Sequence, residues 1–200
     1  MTESVIVLRN IGNTKRKEHA VFTMKIQKRH LLLSIIALCS LLLADQYTKQ
    51  LAVSHLKGQE PFVLLEHVLE FSYLENTGAA FSSFMGRQAF LIALTTFVIV
   101  LLLWKYLTLP AGRRYVPMRI CMLLILSGAL GNLIDRVSNR YVVDFIYFVP
   151  IDFPKFNVAD IYITVGVAIL AVLLFFYYKE EELEGLFTIR PKSGWDKTEI

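Results

Sequence analysis

The 200-residue chain has few charged residues and only two cysteines. Asp, Glu, Lys and Arg make up 19% of it, 55% is hydrophobic, and its mean hydropathy is +0.51. Soluble globular chains carry about 25% charged residues, so this composition argues against a soluble single-domain enzyme. Cys39 and Cys121 both lie inside apolar runs, which argues against a disulfide framework.

Signatures of several enzyme classes are also missing. No histidine stands in an H-E-x-x-H motif, which argues against a typical zinc protease, and no glycine-rich loop could cradle a phosphate. His55 and His67 lie outside the apolar runs, away from both cysteines, which disfavours a thiol protease. Lys49 could serve a Ser-Lys dyad, but every serine within the runs lies deeper than Lys49.

Long apolar runs are abundant instead. The four runs are Leu31 to Val53, Ala89 to Leu109, Ile120 to Ile134, and Val158 to Tyr178. With flanking residues, each approaches the roughly 17 to 25 residues that a membrane-spanning helix needs. The first run continues through Asp45 and Lys49 without an A-x-A cleavage site, so we interpret it as a retained helix and not as a cleaved signal peptide. The sequence predicts an all-α membrane protein with four transmembrane helices.

Basic residues predict the orientation of these helices, because Lys and Arg favour cytoplasmic loops. They crowd the start of the first run, the short second connection and the end of the fourth run, and include Lys25, Lys28, Arg29, Lys105, Arg113, Arg114, Arg119 and Lys179. Both termini should therefore be cytoplasmic and the two longer connections outside. This topology also explains the net charge of +4, so no nucleic-acid partner is expected.

The predicted organisation has three parts. Residues 1–30 form a basic cytoplasmic lead, 31–178 the four-span domain, and 179–200 a cytoplasmic tail. Whether translation starts at Met1 or Met24 stays open. Within the four-span domain, Leu69, Phe71 and Tyr73 alternate with polar residues, which predicts a small β-rich extracytoplasmic subdomain at about 54–87.

Acidic residues from three spans converge at one depth. At 1.5 Å per residue, Asp45 lies roughly 21 Å from the inner end of its helix, in the outer half of the bilayer. Asp135 ends the third run, Asp160 begins the fourth, and Asp144 lies in the connection between them. Ionisable residues within spans are costly, so each is a candidate functional residue.

Asp144 and Asp160 have contrasting sequence environments. Asp144 lies among apolar neighbours, which would raise its pKa by desolvation. Asp160 lies at a helix start, where the dipole and free N–H groups favour the ionised form. Such a contrast allows one carboxyl to hold a proton while the other activates water, which makes these two residues one candidate catalytic pair.

Structural roles remain open for the other acidic residues. Asp45 and Lys49 are spaced i,i+4 and could neutralise each other. Asp135, beside Arg136, could form an ion pair or a hydrogen bond to backbone. Asp152 lies between two prolines, where we expect a solvated turn and a structural role.

Two other classes of protein also remain open at this point. A proton-coupled transporter or channel component would use Asp45, Lys49 and Asp160 as a relay, although the inner halves of the spans carry no acidic residue. A purely structural subunit would leave Asp144 and Asp160 far apart.

Five sequence blocks resemble the signature blocks of bacterial lipoprotein signal peptidase, also called signal peptidase II. They occur in the family's order, and they are Asp45–Lys49 (DQYTK), Glu75–Phe81 (ENTGAAF), Gly128–Arg136 (GALGNLIDR), Val143–Ile146 (VDFI) and Phe156–Asp160 (FNVAD). The resemblance covers roughly Leu31 to Tyr178. Ser127 departs from it, because the family more often has a second glycine there.

The resemblance implies an intramembrane aspartyl endopeptidase of the bacterial inner membrane. Its substrates would be diacylglyceryl-modified prolipoproteins, cleaved just before the lipidated cysteine, and globomycin-type peptides would inhibit it. By block position the catalytic residues would be Asp144 and Asp160. Supporting residues would be Asp45, Lys49, Asn76, Gly78, Asn132, Asp135, Arg136 and Asn157. We expect a monomer that works among membrane lipids without metal or organic cofactor.

Overall fold

The computed structural model describes residues 31–78, 88–110 and 112–187. Four helices within these ranges are long and apolar enough to cross a membrane: α1 (Leu31–Leu56), α2 (Gln88–Thr108), α3 (Val116–Asn139, preceded by the 3-10 turn Arg113–Tyr115) and α4 (Val158–Val172, continued by the π-helical turn Leu173–Tyr177). A short α5, Glu180–Phe187, follows. The predicted multi-pass helical architecture is confirmed. The predicted lead 1–30 and most of the predicted tail lie outside the described residues.

α3 is the central helix and is longer than its apolar run. Pro117 lies in its first turn, where the missing N–H costs no hydrogen bond. It ends at Asn139, and the left-handed backbone of Arg140 (φ 67°) caps it. Within the apolar stretch of α3, 56% of the residues are buried, against 11 to 17% in the apolar stretches of the other three helices. The other helices therefore leave most of their apolar surface facing outward, as a bilayer allows.

A three-stranded antiparallel sheet covers one end of the helices, called here the sheet side. Its order is β1 (Phe62–Leu65), β2 (Leu69–Asn76) and β3 (Val142–Phe148). The alternation in β2 predicted a strand correctly. β3 was not predicted, because its first four residues are all buried and show no alternation.

The β2–β3 pairing is irregular beside Asp144. The register shifts between Phe71, which pairs with Ile146, and Leu74, which pairs with Asp144. Phe145 and Ile146 instead donate their backbone N–H groups to the carbonyl of Phe156, at 3.1 and 2.9 Å. Such bulges re-aim side chains, and here the irregularity joins β3 to the segment that leads into α4.

Glycine allows α3 to approach α4 closely. A Cβ at Gly128 would collide with the carbonyl oxygen of Ala159 and lie 2.7 Å from Ile163, while a Cβ at Gly131 would collide with the Asp45 carboxylate. Ser127, where the family more often has glycine, is buried and donates its hydroxyl to the Leu123 carbonyl at 2.7 Å. The serine therefore satisfies its own polar atom within α3.

Candidate functional site

Asp144 and Asp160 line the same cavity at the sheet side, with a volume of about 810 Å³. Asp144 comes from β3 and Asp160 from the first turn of α4. The pairing of β3 with Phe156 brings these two residues together, although they are distant along the chain. The distant placement expected for a purely structural subunit is not found.

The Asp144 carboxylate is buried and held by two amides. Asn76 donates to its Oδ2 at 2.8 Å, and Asn157 donates to its Oδ1 at 2.7 Å. Burial, and secondly the nearby charge of Asp160, raise the pKa of Asp144 to about 7, against the lowering effect of the amide donors. The pKa change agrees in direction and cause with the desolvation predicted from its apolar neighbours.

The Asp160 carboxylate belongs to a capping box at the start of α4. Asn157 is the N-cap, whose side chain accepts from the Asp160 N–H at 3.0 Å, while Asp160 Oδ2 accepts from the Asn157 N–H at 3.1 Å. Asn132 of α3 donates to Asp160 Oδ1 at 2.8 Å. Asn157 thus donates to both cavity carboxylates, with its side chain to one and its backbone to the other.

A buried charged cluster lies behind these two residues. Lys49 forms ion pairs with Asp45 and Asp135, both at 3.0 Å, and donates to Asn132 Oδ1 at 2.9 Å. The i,i+4 pair of α1 is therefore confirmed. Asp135 forms its ion pair with Lys49 and not with the adjacent Arg136, because a helix points neighbouring residues to different faces.

The cluster also holds the segments that carry Asp144 and Asp160. Asp45 Oδ1 accepts from the Ala159 N–H at 2.9 Å, and Asp135 Oδ2 accepts from the Val143 N–H at 3.2 Å. Asp45 and Asp135 are each bonded to the residue immediately before a cavity aspartate. The structure therefore gives them a supporting position behind the cavity carboxylates.

Gln46 is a member of this cluster that sequence analysis did not single out. Its amide donates to Asp45, to Asp135 and to the Gly131 carbonyl, at 3.2 to 3.3 Å. The available signal was a polar residue inside an apolar run, but two of its three partners, Gly131 and Asp135, lie on another helix.

The remaining predicted residues are Asn76 at the end of β2, Gly78 just after it and Arg136 of α3. Asn76 Oδ1 accepts from the Gly78 N–H at 2.9 Å, which orients the amide toward Asp144. Arg136 Nη2 donates to the Gly78 carbonyl at 3.3 Å, and its buried Nε has no hydrogen-bond partner among the described residues. Ala79, Ala80 and Phe81, from the same sequence block, lie outside the described residues.

The cavity joins these polar groups to apolar walls. Ile161, Ile163 and Val165 of α4 contribute one wall, and Val142 of β3 contributes to another.

Asp152 does not line this cavity; it is exposed and accepts from the Tyr147 hydroxyl at 2.7 Å, in agreement with the predicted solvated turn. Among the described residues, no three His, Cys, Asp or Glu side chains are grouped to hold a metal ion. The groups present can move protons and donate hydrogen bonds.

Comparison with known proteins identifies the family of the chain. The family model described as signal peptidase (SPase) II matches residues 36–176. The lipoprotein signal peptidase of Clostridium tetani is 41% identical over 155 residues, 76% of this chain and 96% of that protein. The lipoprotein signal peptidase of Streptococcus pyogenes serotype M6 is 38% identical, over 78% of this chain and 97% of that protein.

Solved structures give the same result for the fold. Two chains described as bacterial membrane enzymes, solved by the in meso method at 2.3 and 1.9 Å resolution, are each 30% identical to this chain. Their TM-scores are 0.67 and 0.65, over 74% and 73% of this chain and 92% and 94% of theirs. Taken with the match along residues 36–176, these likenesses show that the chain belongs to the signal peptidase II family of lipoprotein signal peptidases.

Proposed function

We propose that this peptidase is an aspartyl endopeptidase whose catalytic residues are Asp144 and Asp160. It removes the signal peptide of diacylglyceryl-modified prolipoproteins by cleaving just before the lipidated cysteine. The observation that carries the proposal is the pair of carboxylates that line one cavity and share Asn157 as a donor. The apolar α4 wall beside them suits a substrate that remains in the membrane.

The pair divides the chemistry between a proton donor and a base. Asp144, with its raised pKa, holds a proton and donates it to the carbonyl oxygen of the scissile bond. Asp160, whose carboxylate accepts from the Asn157 N–H and the Asn132 amide, acts as the base and takes a proton from water, whose oxygen attacks the carbonyl carbon. When the resulting diol collapses, the C–N bond breaks, Asp160 protonates the leaving amine, and Asp144 recovers a proton from the diol.

Neighbouring side chains orient the carboxylates and the substrate. Asn76, Asn132 and Asn157 keep the two carboxylates in place through their amide donors. Arg136 offers its unpartnered Nε to a substrate carbonyl in the cavity. Asp45, Lys49 and Asp135 support the site from behind, and globomycin-type peptides compete for the same cavity.

The protein lies in the bacterial inner membrane with its sheet side outward and acts as a monomer. The Lys and Arg distribution supports this orientation, because Arg113, Arg114 and Arg119 lie at the end of the helices opposite the sheet. A diacylglyceryl anchor in the outer leaflet would then present the scissile bond at the depth of Asp144 and Asp160.

The test compares a lipidated precursor peptide with its unmodified twin, each incubated with the purified protein. The lipidated peptide should be cleaved before its cysteine and the unmodified twin should stay nearly intact, because the acyl chains bring the bond to the cavity. Equal turnover of both peptides would contradict the proposed substrate class.

A further inference from the structure

A second, smaller cavity adjoins the first on the face of the sheet. We name this cavity of about 340 Å³ the sheet cavity. Four residues line both cavities, and they are Leu74, Phe153, Pro154 and Lys155. The two spaces therefore meet along a common wall, and a chain lying at Asp144 can continue over this wall to the sheet.

The lining of the sheet cavity is more polar than that of the larger cavity, although both contain apolar residues. Glu70 and Ser72 line it from one face of β2, since alternate residues of a strand point the same way. Tyr147 of β3 donates its hydroxyl to Asp152 at 2.7 Å, and the Lys155 ammonium lies 5.7 Å from the Tyr147 ring centroid. These contacts hold polar side chains in place outside the spanning segments.

We propose that the sheet cavity is the subsite for the first residues of the mature chain, those that follow the cysteine. The proposal rests on the function proposed above. A signal peptide has an apolar central region, which suits the α4 wall, whereas the mature chain must leave the membrane on the other side of the scissile bond. The sheet cavity, which lies beyond the common wall and has the more polar lining, suits that part of the substrate.

The size and backbone pairing of the sheet cavity indicate how the mature chain would bind. Its volume lies at the small end of ligand cavities, which span about 300 to 1,000 Å³, so it accommodates a short peptide segment. β2 pairs with strands on both sides, which leaves little room for strand addition at Glu70. Recognition therefore depends on side chains such as Glu70, Tyr147 and Lys155.

The test uses two lipidated precursors and a variant that fills the sheet cavity. The short precursor ends at the lipidated cysteine as an amide, and the long precursor continues by a few polar mature residues. In wild type the long precursor should have a kcat/KM higher by about fivefold, because remote binding energy contributes to the transition state. Glu70→Trp should abolish that advantage and leave cleavage of the short precursor unchanged.

Glu66→Trp is the matched control, because Glu66 is exposed in the turn between β1 and β2 and lines neither cavity. Pro61→Trp, from an exposed residue that also lines the sheet cavity, repeats the test if Glu70→Trp accumulates poorly. Retention of the fivefold advantage in the blocked variants, or equal slowing of both precursors, overturns the subsite. Failure of wild type to cleave either precursor overturns the proposed function itself.

Discussion

At the scale of single residues, aspartates occupy two different kinds of position in this protein. Asp144 and Asp160 line the cavity, whereas Asp45 and Asp135 are paired with Lys49 behind it. Each carboxylate of the second pair also accepts a backbone N–H. Substitution should therefore separate catalysis from support.

Asp144→Asn and Asp160→Asn should each lower kcat by about 10² to 10⁴-fold, the usual contribution of general acid–base catalysis. The amide keeps the size of the carboxylate but cannot exchange a proton. Turnover of the lipidated precursor, corrected for the amount of membrane-inserted protein, measures this loss, and the double variant should lose little more than either single one.

Asp152→Asn serves as the control on the short precursor that ends at the lipidated cysteine, since Asp152 is exposed and lines the sheet cavity but not the larger one, and cleavage of this precursor should stay near wild type. Asp45→Asn and Asp135→Asn should keep some turnover. A near-normal rate in Asp144→Asn or Asp160→Asn would show that the catalytic pair is assigned wrongly, and Asp135 would be examined next.

The raised pKa of Asp144 predicts a pH-dependent stability. Its folded pKa of about 7 lies above the ordinary value of 3.8, so the native state binds the proton more tightly than the unfolded state does. The stability that Asp144 contributes is therefore fully present below about pH 4 and is lost as the pH rises through about 7. Asp144→Asn lacks this titration.

The melting temperature of wild type minus that of Asp144→Asn should therefore fall between about pH 4 and about pH 8. Thermal unfolding of both purified proteins in one detergent measures this difference. A difference that stays constant, or that grows with pH, would show that Asp144 is not held with a raised pKa.

At the scale of helices and strands, sequence predicted what depends on composition and periodicity. The four spans and the alternation of β2 follow from local patterns. β3 was missed because its burial comes from tertiary contacts with the helices beneath it. α3 includes Pro117 and continues to Asn139, as expected of a third run that is too short to span a bilayer without its flanking residues.

The close contact of α3 with α4 makes a prediction at this scale. Gly128→Ala should lower stability by about 1 to 3 kcal/mol, as overpacking does, because the added methyl group meets the Ala159 backbone. Since Asp160 follows Ala159, activity should fall as well. Thermal unfolding and precursor cleavage measure the two effects.

Gly112→Ala is the control for this substitution, because the nearest atom to its added methyl group is a Tyr115 ring carbon at 3.9 Å. It should resemble wild type in both measurements. Wild-type stability in Gly128→Ala would show that α3 and α4 are not packed as described.

At the scale of the whole molecule, the distribution of basic residues predicts the orientation. A reporter that is active only outside the cytoplasm should give a signal when inserted between Lys57 and Glu66. It should stay silent when fused after Lys179, because the basic residues Arg113, Arg114 and Arg119 keep that end of the helices inside. The opposite result would place the cavity on the cytoplasmic side.

The sequence predicted most residues of the site but not the contacts that join them across helices. Family blocks pointed to Asp144, Asp160 and their asparagines, and the structure gathers these side chains at one cavity. The ion pair between Lys49 and Asp135 joins two different helices, and the role of Gln46 depends on the same contact. Such pairings depend on how the helices are rotated about their axes relative to each other. The residue pattern of a single helix does not determine this rotation.

The partners of the two cavity carboxylates come from distant parts of the chain. Asn76 precedes α2, Asn132 lies on α3, and Asn157 begins α4, the last of the four helices to be synthesised. While a ribosome is still producing the chain, Asp144 lacks Asn157 and Asp160 does not yet exist. If Asp144 and Asp160 are the catalytic residues, as proposed, the site is therefore complete only after α4 has been made, and a chain truncated before α4 should be inactive.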